Sequence, residues 1–445
     1  MGMKFASFVF IFTVMLLESK LNVHGQSISI PKFILNYMFP KDPHIVRVRK
    51  PEDIRTTINN VTTLDFLGLV EKYGYTAEEH YVTTEDGYNL VIHRITGSPL
   101  FKGQQTGKVV FLQTGLFGTS DCWVLIGAGR DLAFLLADKG YDVWLGNVRG
   151  TSYCRSHVKL SPRNKEFWQF SFHEIAMRDL PAMIDYTLDH TKQKSLYFVN
   201  ISMGSTILFI LLSLKPEYNA KIKLAVCLAP IAFWNEASPI VQYIADTIHN
   251  IRNLQEILDF NEIYEVFALT STSIMTGRTL CADNTITQAV CVASVFLLSG
   301  ANPSQLNIST ILLVIMLFTA FPEILSNYPA GSSVQTLFHY NQNIITKKFQ
   351  AYDYGYIGNY KHYKQATPIT YDVEKITAPV AIFYGGNDLL ALKSTIFELY
   401  KRLPNVVLLE EQKSFTHLDF IIAINVNTLV YSRIIELFQE FDNKT

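Results

Sequence analysis

The chain has 445 residues, 49% of them hydrophobic, and a formal net charge of −1. Its length permits one large α/β domain with an insertion, or two or three separate domains. Lysines and arginines are scattered along a nearly neutral chain, so the sequence excludes the basic surface typical of nucleic-acid binding, and we expect no nucleic-acid partner. The hydrophobic share is slightly high for a soluble protein and fits an apolar ligand or interface.

The N-terminus predicts a signal peptide over residues 1–25. One charge, Lys4, precedes a mostly apolar run over Phe5–Leu17, which has the length of a signal-peptide core and is too short to span a bilayer comfortably. Small residues permit cleavage before Gln26, and the alternative is an N-terminal anchor. No later run reaches the ~18 residues of a spanning helix. We therefore expect an exported protein, secreted or delivered to lysosomes, with no transmembrane segment after signal removal.

Alternating β-type residues begin at YVTTEDGYNLVIHRI (Tyr81–Ile95), around Asp86-Gly87. This pattern predicts a β-hairpin with a type I′ turn.

Short apolar runs with helical segments between them follow along the chain. This alternation predicts βαβ units and a mostly parallel sheet, an α/β fold. The runs are KVVFLQ (108–113), YDVWLG (141–146), SLYFVN (195–200), KLAVCLA (223–229), PVAIFY (379–384) and VVLLE (406–410).

The rhythm stops between Pro230 and Thr377. We expect a core formed by residues 26–230 and 378–445, with a helix-rich insertion over residues 231–377. Its runs VASVFLLSG and TILLVIMLFTAF have two interpretations: buried helices of the insertion, or the wall or lid of an apolar substrate cleft.

Export makes disulfides and glycans possible. The five cysteines are an odd number, so at least one thiol stays outside any intramolecular pair. Cys281 and Cys291 bound the local loop that we expect a disulfide to close, whereas Cys227 lies in an apolar run and is expected as a buried thiol. Asn60 and Asn307 are candidate glycosylation sites. No cysteine or histidine spacing indicates a metal site.

The stretch YFVNISMGSTILF predicts a strand, a turn at Ser202 and a buried helix. This is the layout of a nucleophile elbow, whose usual pattern is G-x-S-x-G. A serine nucleophile needs a general base and an orienting acid, in the chain order Ser, Asp or Glu, His for this fold. Asp388 in GGNDLL and His417 in SFTHLDF supply that order, each after a predicted strand. By itself, Asp388 is better explained as a turn or capping residue, and His417 as a solvated or capping residue; in this order after predicted strands, they and Ser202 predict a catalytic triad.

Negative charge on a reacting carbonyl oxygen also needs donors. The backbone N–H groups of Met203, after the serine, and of Leu116, in the loop QTGLFGTSDCW, are the predicted oxyanion hole.

Taken together, the motifs resemble the acid lipase family, which includes gastric and lysosomal lipases and insect relatives. The similarity covers about Leu67 to Phe441. It is carried by GYTAEEHYVTTEDGYNLVIHRI, LQTGLFGTSDCWVL, GYDVWLGNVRGTSYCR, FWQFSFHEIAMRDLPAMIDY, YPAGSS, FQAYDYGYIGNYKHY, GGNDLLA and THLDF.

This resemblance implies an α/β-hydrolase core with a helical cap and a mobile lid. It assigns the triad to Ser202, Asp388 and His417, and the paired cysteines to Cys281 and Cys291. It implies lipid ester substrates, triacylglycerols or sterol esters, met at a lipid interface, and no cofactor or metal.

Three residues depart from the family pattern: Asn200 and Ile201 in place of the G-H of G-H-S-x-G, and Thr114 in place of a histidine before the glycine of the oxyanion loop. A side chain at position 200 enters a crowded turn, although its amide could bond a nearby backbone group. Replacing Asn200 by glycine is expected to raise activity.

Three functions remain open. The first is a secreted serine hydrolase that cleaves lipid esters, slowed by its non-standard elbow. The second is a catalytically impaired, lipase-like protein that binds or stores lipid. The third is an esterase for smaller soluble esters, which differs from the first only in the shape of the lid and cleft.

Overall fold

The computed structural model describes residues 21–23, 26–28, 38–39, 47–50, 63–103, 106–280, 299–300 and 324–444. Its strands are β1 (Leu21–Val23), β2 (Gln26–Ile28), β3 (Arg47–Val48), β4 (Thr63–Leu64), β5 (Thr76–Thr83), β6 (Tyr88–Gly97), β7 (Val109–Gln113), β8 (Asp142–Gly146), β9 (Ser156–His157), β10 (Leu196–Ile201), β11 (Ile222–Leu228), β12 (Glu265–Val266), β13 (Ser332–Ser333), β14 (Val380–Gly385) and β15 (Val406–Gln412).

Helices surround these strands. They are α1 (Phe66–Glu71), α2 (Leu132–Asp138), α3 (Phe172–Glu174), α4 (Leu180–Thr191), α5 (Met203–Leu214), α6 (Pro239–Asn250), α7 (Leu254–Phe260), α8 (Ser271–Leu280), α9 (Val334–Thr346), α10 (Gly355–Tyr363), α11 (Lys393–Arg402), α12 (Asp419–Ile422) and α13 (Ser432–Lys444). A π-helical turn over Ile175–Asp179 joins α3 to α4.

A nine-stranded sheet forms the centre of the described chain, in the order β15-β14-β11-β10-β7-β8-β6-β5, with β9 pairing to β6. The six strands from β15 to β8 are parallel, and β6, β5 and β9 add antiparallel pairs at one edge. The mostly parallel α/β fold predicted from the sequence is confirmed, and all six predicted apolar runs form its parallel strands.

Burial explains the sequence of the central strands. Every residue of β7, β8, β10 and β14 is buried, because helices cover both faces of the sheet and each strand must be apolar on both sides. Helix α5 is buried from Met203 through Ser213, as its uniformly apolar sequence predicts.

Strand order places a switch point between β7 and β10. From β7 the chain moves to β8 on one side of it, then crosses to β10 on the other. In open α/β sheets, ligands bind outside the carboxyl ends of the strands at such a point. The loop containing Leu116 follows β7 and Ser202 follows β10, so both lie at this position.

The predicted hairpin forms between β5 and β6, but its type I′ turn is wrong. A type I′ turn needs positive φ at both central residues. In this turn the N–H of Gly87 donates to the carbonyl of Thr84 at 2.9 Å, and Gly87, with φ +98°, is its residue of positive φ. The turn is therefore type I followed by a left-handed glycine. Gly87 adopts this conformation without a Cβ penalty, so Asp86 does not have to.

Between β11 and β14, the described residues form α6 to α10 and the short pair β12–β13. Of the two apolar runs in this part, only residues 299 and 300 belong to the described chain, so both interpretations of these runs lie outside it. The division at residues 231 and 377 stays a prediction. Among the described residues, no helix combines the length and apolar character needed to cross a membrane.

Candidate active site

Ser202 forms a sharp turn between β10 and α5. The strand ends at Ile201, the helix begins at Met203, and Ser202 between them has φ 57° and ψ −120°. A residue with a Cβ rarely adopts this conformation, and it persists only where the surroundings hold it. The N–H of Ser202 donates to the carbonyl of Leu228 on β11 at 3.0 Å. This strand–turn–helix geometry is that of a nucleophile elbow.

Two glycines allow the β7 loop to touch the elbow. A Cβ on Gly204 would lie 2.9 Å from the carbonyl oxygen of Gln113, and one on Gly115 would lie 2.8 Å from the Cβ of Ser202. Carbon atoms do not approach these neighbours so closely without displacing them. Gly204 is therefore required by the fold of the turn, and Gly115 brings the loop after β7 beside Ser202.

Asn200 occupies the position where the usual elbow pattern has glycine. It is fully buried, and its neighbours across the sheet are Gln113 on β7 and Cys227 on β11. Its Oδ1 accepts a hydrogen bond from the hydroxyl of Ser205, and its Nδ2 donates to the sulfur of Cys227 at 3.5 Å. From the sequence, this amide could bond a nearby backbone group; in the structure it bonds two side chains instead. A buried amide with partners costs far less than an unpaired one, so the turn accommodates the asparagine.

Asp388 lies just beyond the carboxyl end of β14. Its Oδ1 accepts from the N–H groups of Leu390 and Ala391, each at 2.8 Å. The preceding glycines permit a close approach between loops, because a Cβ on Gly385 would lie 2.3 Å from the carbonyl oxygen of Phe415, and one on Gly386 would lie 2.4 Å from that of Lys413. Asp388 is thereby directed toward the loop that follows β15.

His417 lies in that loop and joins the three predicted triad residues. Its Nδ1 is 2.8 Å from Oδ2 of Asp388, and its Nε2 is 2.8 Å from Oγ of Ser202. Its backbone N–H donates to the carbonyl of Ser299 at 3.0 Å. The structure therefore brings Ser202, His417 and Asp388, predicted from three separate stretches, into one hydrogen-bonded line.

The two predicted oxyanion donors flank Ser202. Met203 is the first residue of α5, and the first N–H groups of a helix have no partner within it. Leu116 lies in the β7 loop, where the N–H of Ala330 donates to the carbonyl of Phe117 at 2.9 Å and the hydroxyl of Tyr328 donates to the carbonyl of Leu116 at 3.3 Å. The YPAGSS stretch thus holds the loop carrying Leu116.

A buried ion pair supports the same loop from the other side. Asp121, fully buried, accepts from Arg47 at 2.8 Å and from the hydroxyl of Tyr153 at 2.7 Å. Arg47 also donates to Ser152 at 2.9 Å. Nothing in the sequence predicted this contact, because Arg47 and Asp121 are far apart in the chain and no periodic pattern connects them.

An apolar cavity of about 220 Å³ opens at Ser202 and His417. Its walls are mostly aliphatic, and Thr114, Tyr328 and Cys122 add polar atoms. The lining residues include Leu116, Leu125, Ile126, Ile201, Ile324, Leu325, Leu418, Ile421 and Ile422. Such a wall suits an apolar chain attached to a reacting carbonyl.

The described chain contains three of the five cysteines. Cys227 is fully buried, as predicted, and Cys122, Cys154 and Cys227 are free thiols. Burial raises the pKa of Cys122, in the cavity wall, to about 12, so it is a neutral thiol at physiological pH. Cys281, Cys291, Asn60 and Asn307 lie outside the described residues. Where the structure describes the chain, no group of three acidic, cysteine or histidine side chains is placed to hold a metal ion.

Family models match two overlapping parts of the chain. Residues 67–127 match a partial α/β-hydrolase lipase region, and residues 108–252 match the α/β hydrolase fold. Both matches include the loop with Leu116, and the second includes the elbow at Ser202.

Whole-length relatives are lipases. The chain is 36% identical to Lipase 1 of Drosophila melanogaster, over 87% of this chain and 83% of the relative. It is 36% identical to human gastric triacylglycerol lipase, over 85% of this chain and 92% of the relative. Human lysosomal acid lipase/cholesteryl ester hydrolase is 35% identical, over 87% and 93% of the two chains.

Among solved structures, a protein from Sulfolobus solfataricus aligns with a TM-score of 0.55 at 15% identity, over 82% of this chain and 94% of that one. At this identity the likeness concerns the fold alone.

Proposed function

The chain belongs to the acid lipases, carboxylic ester hydrolases of the α/β-hydrolase fold, and we propose that it hydrolyses lipid esters with Ser202 as the nucleophile. The observation that carries this proposal is the line of 2.8 Å contacts from Asp388 through His417 to Ser202, at an apolar cavity.

In the first half-reaction, Oγ of Ser202 attacks the ester carbonyl while Nε2 of His417 removes its proton. Asp388 accepts from Nδ1 of His417, which keeps Nε2 available as the base and stabilises the imidazolium that forms. The negative charge on the carbonyl oxygen is met by the N–H groups of Leu116 and Met203. Collapse of the tetrahedral intermediate releases the alcohol, which takes the proton from His417.

The second half-reaction restores the enzyme. Water, deprotonated by His417, attacks the acyl group on Ser202, and the fatty acid leaves as Ser202 recovers its proton. Water thus adds across the ester bond, and no cofactor is consumed. Two of the relatives are named for triacylglycerol and cholesteryl ester; we assign the substrate of this chain to the same class, a triacylglycerol or a sterol ester.

Four further proposals, on export, the cap, the disulfide and the glycans, rest on the sequence. We propose export by the signal peptide over residues 1–25, to an extracellular or lysosomal site. We also propose a helical cap over residues 231–377, a Cys281–Cys291 disulfide, and glycans on Asn60 and Asn307.

The rival function, a non-enzymatic lipid-binding or storage protein, rests on Asn200, Ile201 and Thr114. Against it stand the partners of Asn200 in Ser205 and Cys227, which fit an elbow built around asparagine rather than one in decay.

Substitution of Ser202 by alanine tests the proposal. Hydrolysis of a short p-nitrophenyl ester and of emulsified triacylglycerol should both fall at least about a thousandfold, because nucleophile removal leaves only binding and the oxyanion donors. Ser213→Ala is the matched control, since Ser213 lies on the same helix and bonds only its own helix at Ile210. Retained hydrolysis by Ser202→Ala would assign the chemistry elsewhere. Hydrolysis of the soluble ester alone by the parent would favour the small-ester esterase.

A further inference from the structure

Three large side chains stand in solvent on one face of α10. The exposed fractions are 72% for Tyr356, 82% for Ile357 and 60% for Tyr360. The spacings i,i+3 and i,i+4 place all three side by side on a helix. Single exposed apolar residues are normal on a protein surface, but a contiguous set indicates an interaction site.

Hydrogen bonds of Asn359 and Tyr363 fix α10 to the rest of the protein. The three exposed side chains therefore lie on a helix of fixed position. Asn359 is buried; its Oδ1 accepts from the N–H of Tyr354, and its Nδ2 donates to Asp353 at 2.7 Å and to the carbonyl of Ala366 at 3.1 Å. The hydroxyl of Tyr363 donates to the carbonyl of Tyr352 at 2.9 Å. Burying this face therefore needs a partner outside the described chain, with no rearrangement of α10.

Positive charge accompanies the apolar face. Lys361 is exposed one turn beyond Ile357, and Lys364 is exposed one turn beyond Tyr360. The nearest carboxylate in sequence, Asp353, accepts hydrogen bonds from the N–H of Gly355 and from the side chain of Asn359. A surface of tyrosine, isoleucine and lysine combines amphipathic rings, an aliphatic anchor and cations, which is the composition of protein regions at lipid–water interfaces.

The C-terminal end of α10 lies at the end of the molecule that carries Ser202. Residues 172–191 form one helical stretch of about 30 Å, which ends just before β10, a strand of about 20 Å. Its start at α3 lies near the carboxyl end of β10, because the ring of Phe172 packs on that of Tyr340 with centroids 4.6 Å apart, and the hydroxyl of Tyr340 is 3.2 Å from that of Thr206, four residues beyond Ser202. His173 of α3 contacts the ring of Tyr363 at 5.7 Å and the hydroxyl of Tyr371 at 2.8 Å, which places the C-terminal end of α10 at that level.

We propose that the face formed by Tyr356, Ile357, Tyr360, Lys361 and Lys364 binds an anionic phospholipid surface and docks the protein on the lipid that holds its substrate. The two tyrosine rings and the isoleucine enter the headgroup boundary, and the lysines meet lipid phosphates and carboxylates. The substrate part rests on the proposed function, whereas the binding itself does not require catalysis.

Binding is measured by co-sedimentation with phosphatidylcholine vesicles containing 30% phosphatidylserine, on the order of a physiological anionic membrane. The protein carries Ser202→Ala throughout, so the result does not depend on hydrolysis. The triple variant Tyr356→Ser, Ile357→Ser, Tyr360→Ser should bind at least about tenfold more weakly. Its control, Tyr81→Ser, Leu100→Ser, Tyr400→Ser, removes two exposed tyrosines and one exposed aliphatic residue elsewhere and should bind within twofold of the parent.

A second pair separates charge from apolar contact. Lys361→Gln with Lys364→Gln should weaken binding to the anionic vesicles several-fold and leave binding to pure phosphatidylcholine unchanged. Equal binding by the apolar triple variant and its parent would overturn the proposal, as would an equal loss in the control. No effect of the lysine pair on anionic vesicles would overturn the assignment of an anionic surface. With Ser202 restored, hydrolysis of a soluble ester should be unchanged in the apolar triple variant while hydrolysis of an emulsion falls.

Discussion

The loops of Asp388 and His417 are held mainly through contacts to backbone groups, whereas the elbow of Ser202 adds contacts between buried side chains to its backbone contacts. On the first side, Gly385 packs against a carbonyl group, and Asp388 is held by two backbone N–H groups. On the second, Asn200 bonds Ser205 and Cys227. Backbone contacts tolerate many sequences except at the glycines, while side-chain contacts require matched partners. Asn200, in place of the usual glycine, therefore lies in the half of the site where new side-chain partners can compensate for the substitution.

Within this comparison, the largest effect is expected from Gly385→Ala, which tests the half held through backbone. The new Cβ would lie 2.3 Å from the carbonyl oxygen of Phe415, so the loops must separate and the contact between Asp388 and His417 is lost. A displacement of about 1 Å costs on the order of a hundredfold in rate, and we expect at least this loss in kcat.

Gly129→Ala is its control, because no atom lies within 4 Å of a Cβ there and only the positive φ of +78° opposes the change. Unchanged kcat in Gly385→Ala, with unfolding unaffected, would contradict the backbone account.

The side-chain half is tested by a double-mutant cycle of Asn200→Gly and Ser205→Ala. The sequence alone favours a gain in activity from glycine at position 200; the observed contacts reverse that sign. Asn200→Gly leaves the buried hydroxyl of Ser205 without its acceptor and removes the bond between β10 and the first turn of α5. We expect kcat to fall about three- to tenfold with KM little changed, and unfolding free energy to fall by about 1–3 kcal/mol.

In the cycle, the two substitutions should be coupled, so that Ser205→Ala costs less when Asn200 is already glycine. Additive effects on both kcat and stability, or a gain in activity from Asn200→Gly, would show that the asparagine contributes nothing to holding the elbow.

The smallest expected effect is on the pH dependence of stability. It arises at Asp131, whose buried carboxyl group holds the cavity loop at Ile126 and Gly127. Asp131 accepts from the N–H groups of Ile126 and Gly127 at 2.8 and 2.9 Å, and burial raises its pKa from 3.8 to about 7 against the opposing effect of these bonds. The folded state then binds a proton that the unfolded state releases between about pH 4 and 7. This group therefore lowers stability as pH rises through that range.

Asp131→Asn should remove this fall. The unfolding free energy of the variant minus that of the parent should therefore be larger at pH 8 than at pH 4.5. Chemical denaturation at both values measures it, with exposed Asp189→Asn as the control. A constant difference between Asp131→Asn and the parent at both pH values would contradict the raised pKa.

The parts predictable from sequence share a physical cause. Fully buried strands must be apolar on both faces, so the run over residues 195–200 and its counterparts were recognisable without coordinates. The proximity of Ser202, Asp388 and His417 was predictable because each follows a strand, and the carboxyl ends of parallel strands meet at one edge of the sheet. These signals are local or topological, and both survive changes of individual neighbours.

The parts that escaped prediction depend on pairings between distant residues. Nothing in the stretch around Asn200 identifies Cys227 as its partner, and nothing around Asp121 identifies Arg47. The prediction of the turn type at Asp86-Gly87 was wrong for a different reason. The same dipeptide is compatible with a type I turn followed by a left-handed glycine and with a type I′ turn. The residue types restrict which side-chain pairs and turn types are possible, and tertiary contacts determine which of them form.

The most direct measurement is to treat the folded protein with a fluorophosphonate probe and locate the adduct by mass spectrometry. The account predicts phosphonylation of Ser202, abolished in Ser202→Ala, because the reaction needs the activated serine and the oxyanion donors together. The absence of any adduct, under conditions that label an intact acid lipase efficiently, would contradict it and indicate a lipid-binding relative without the chemistry.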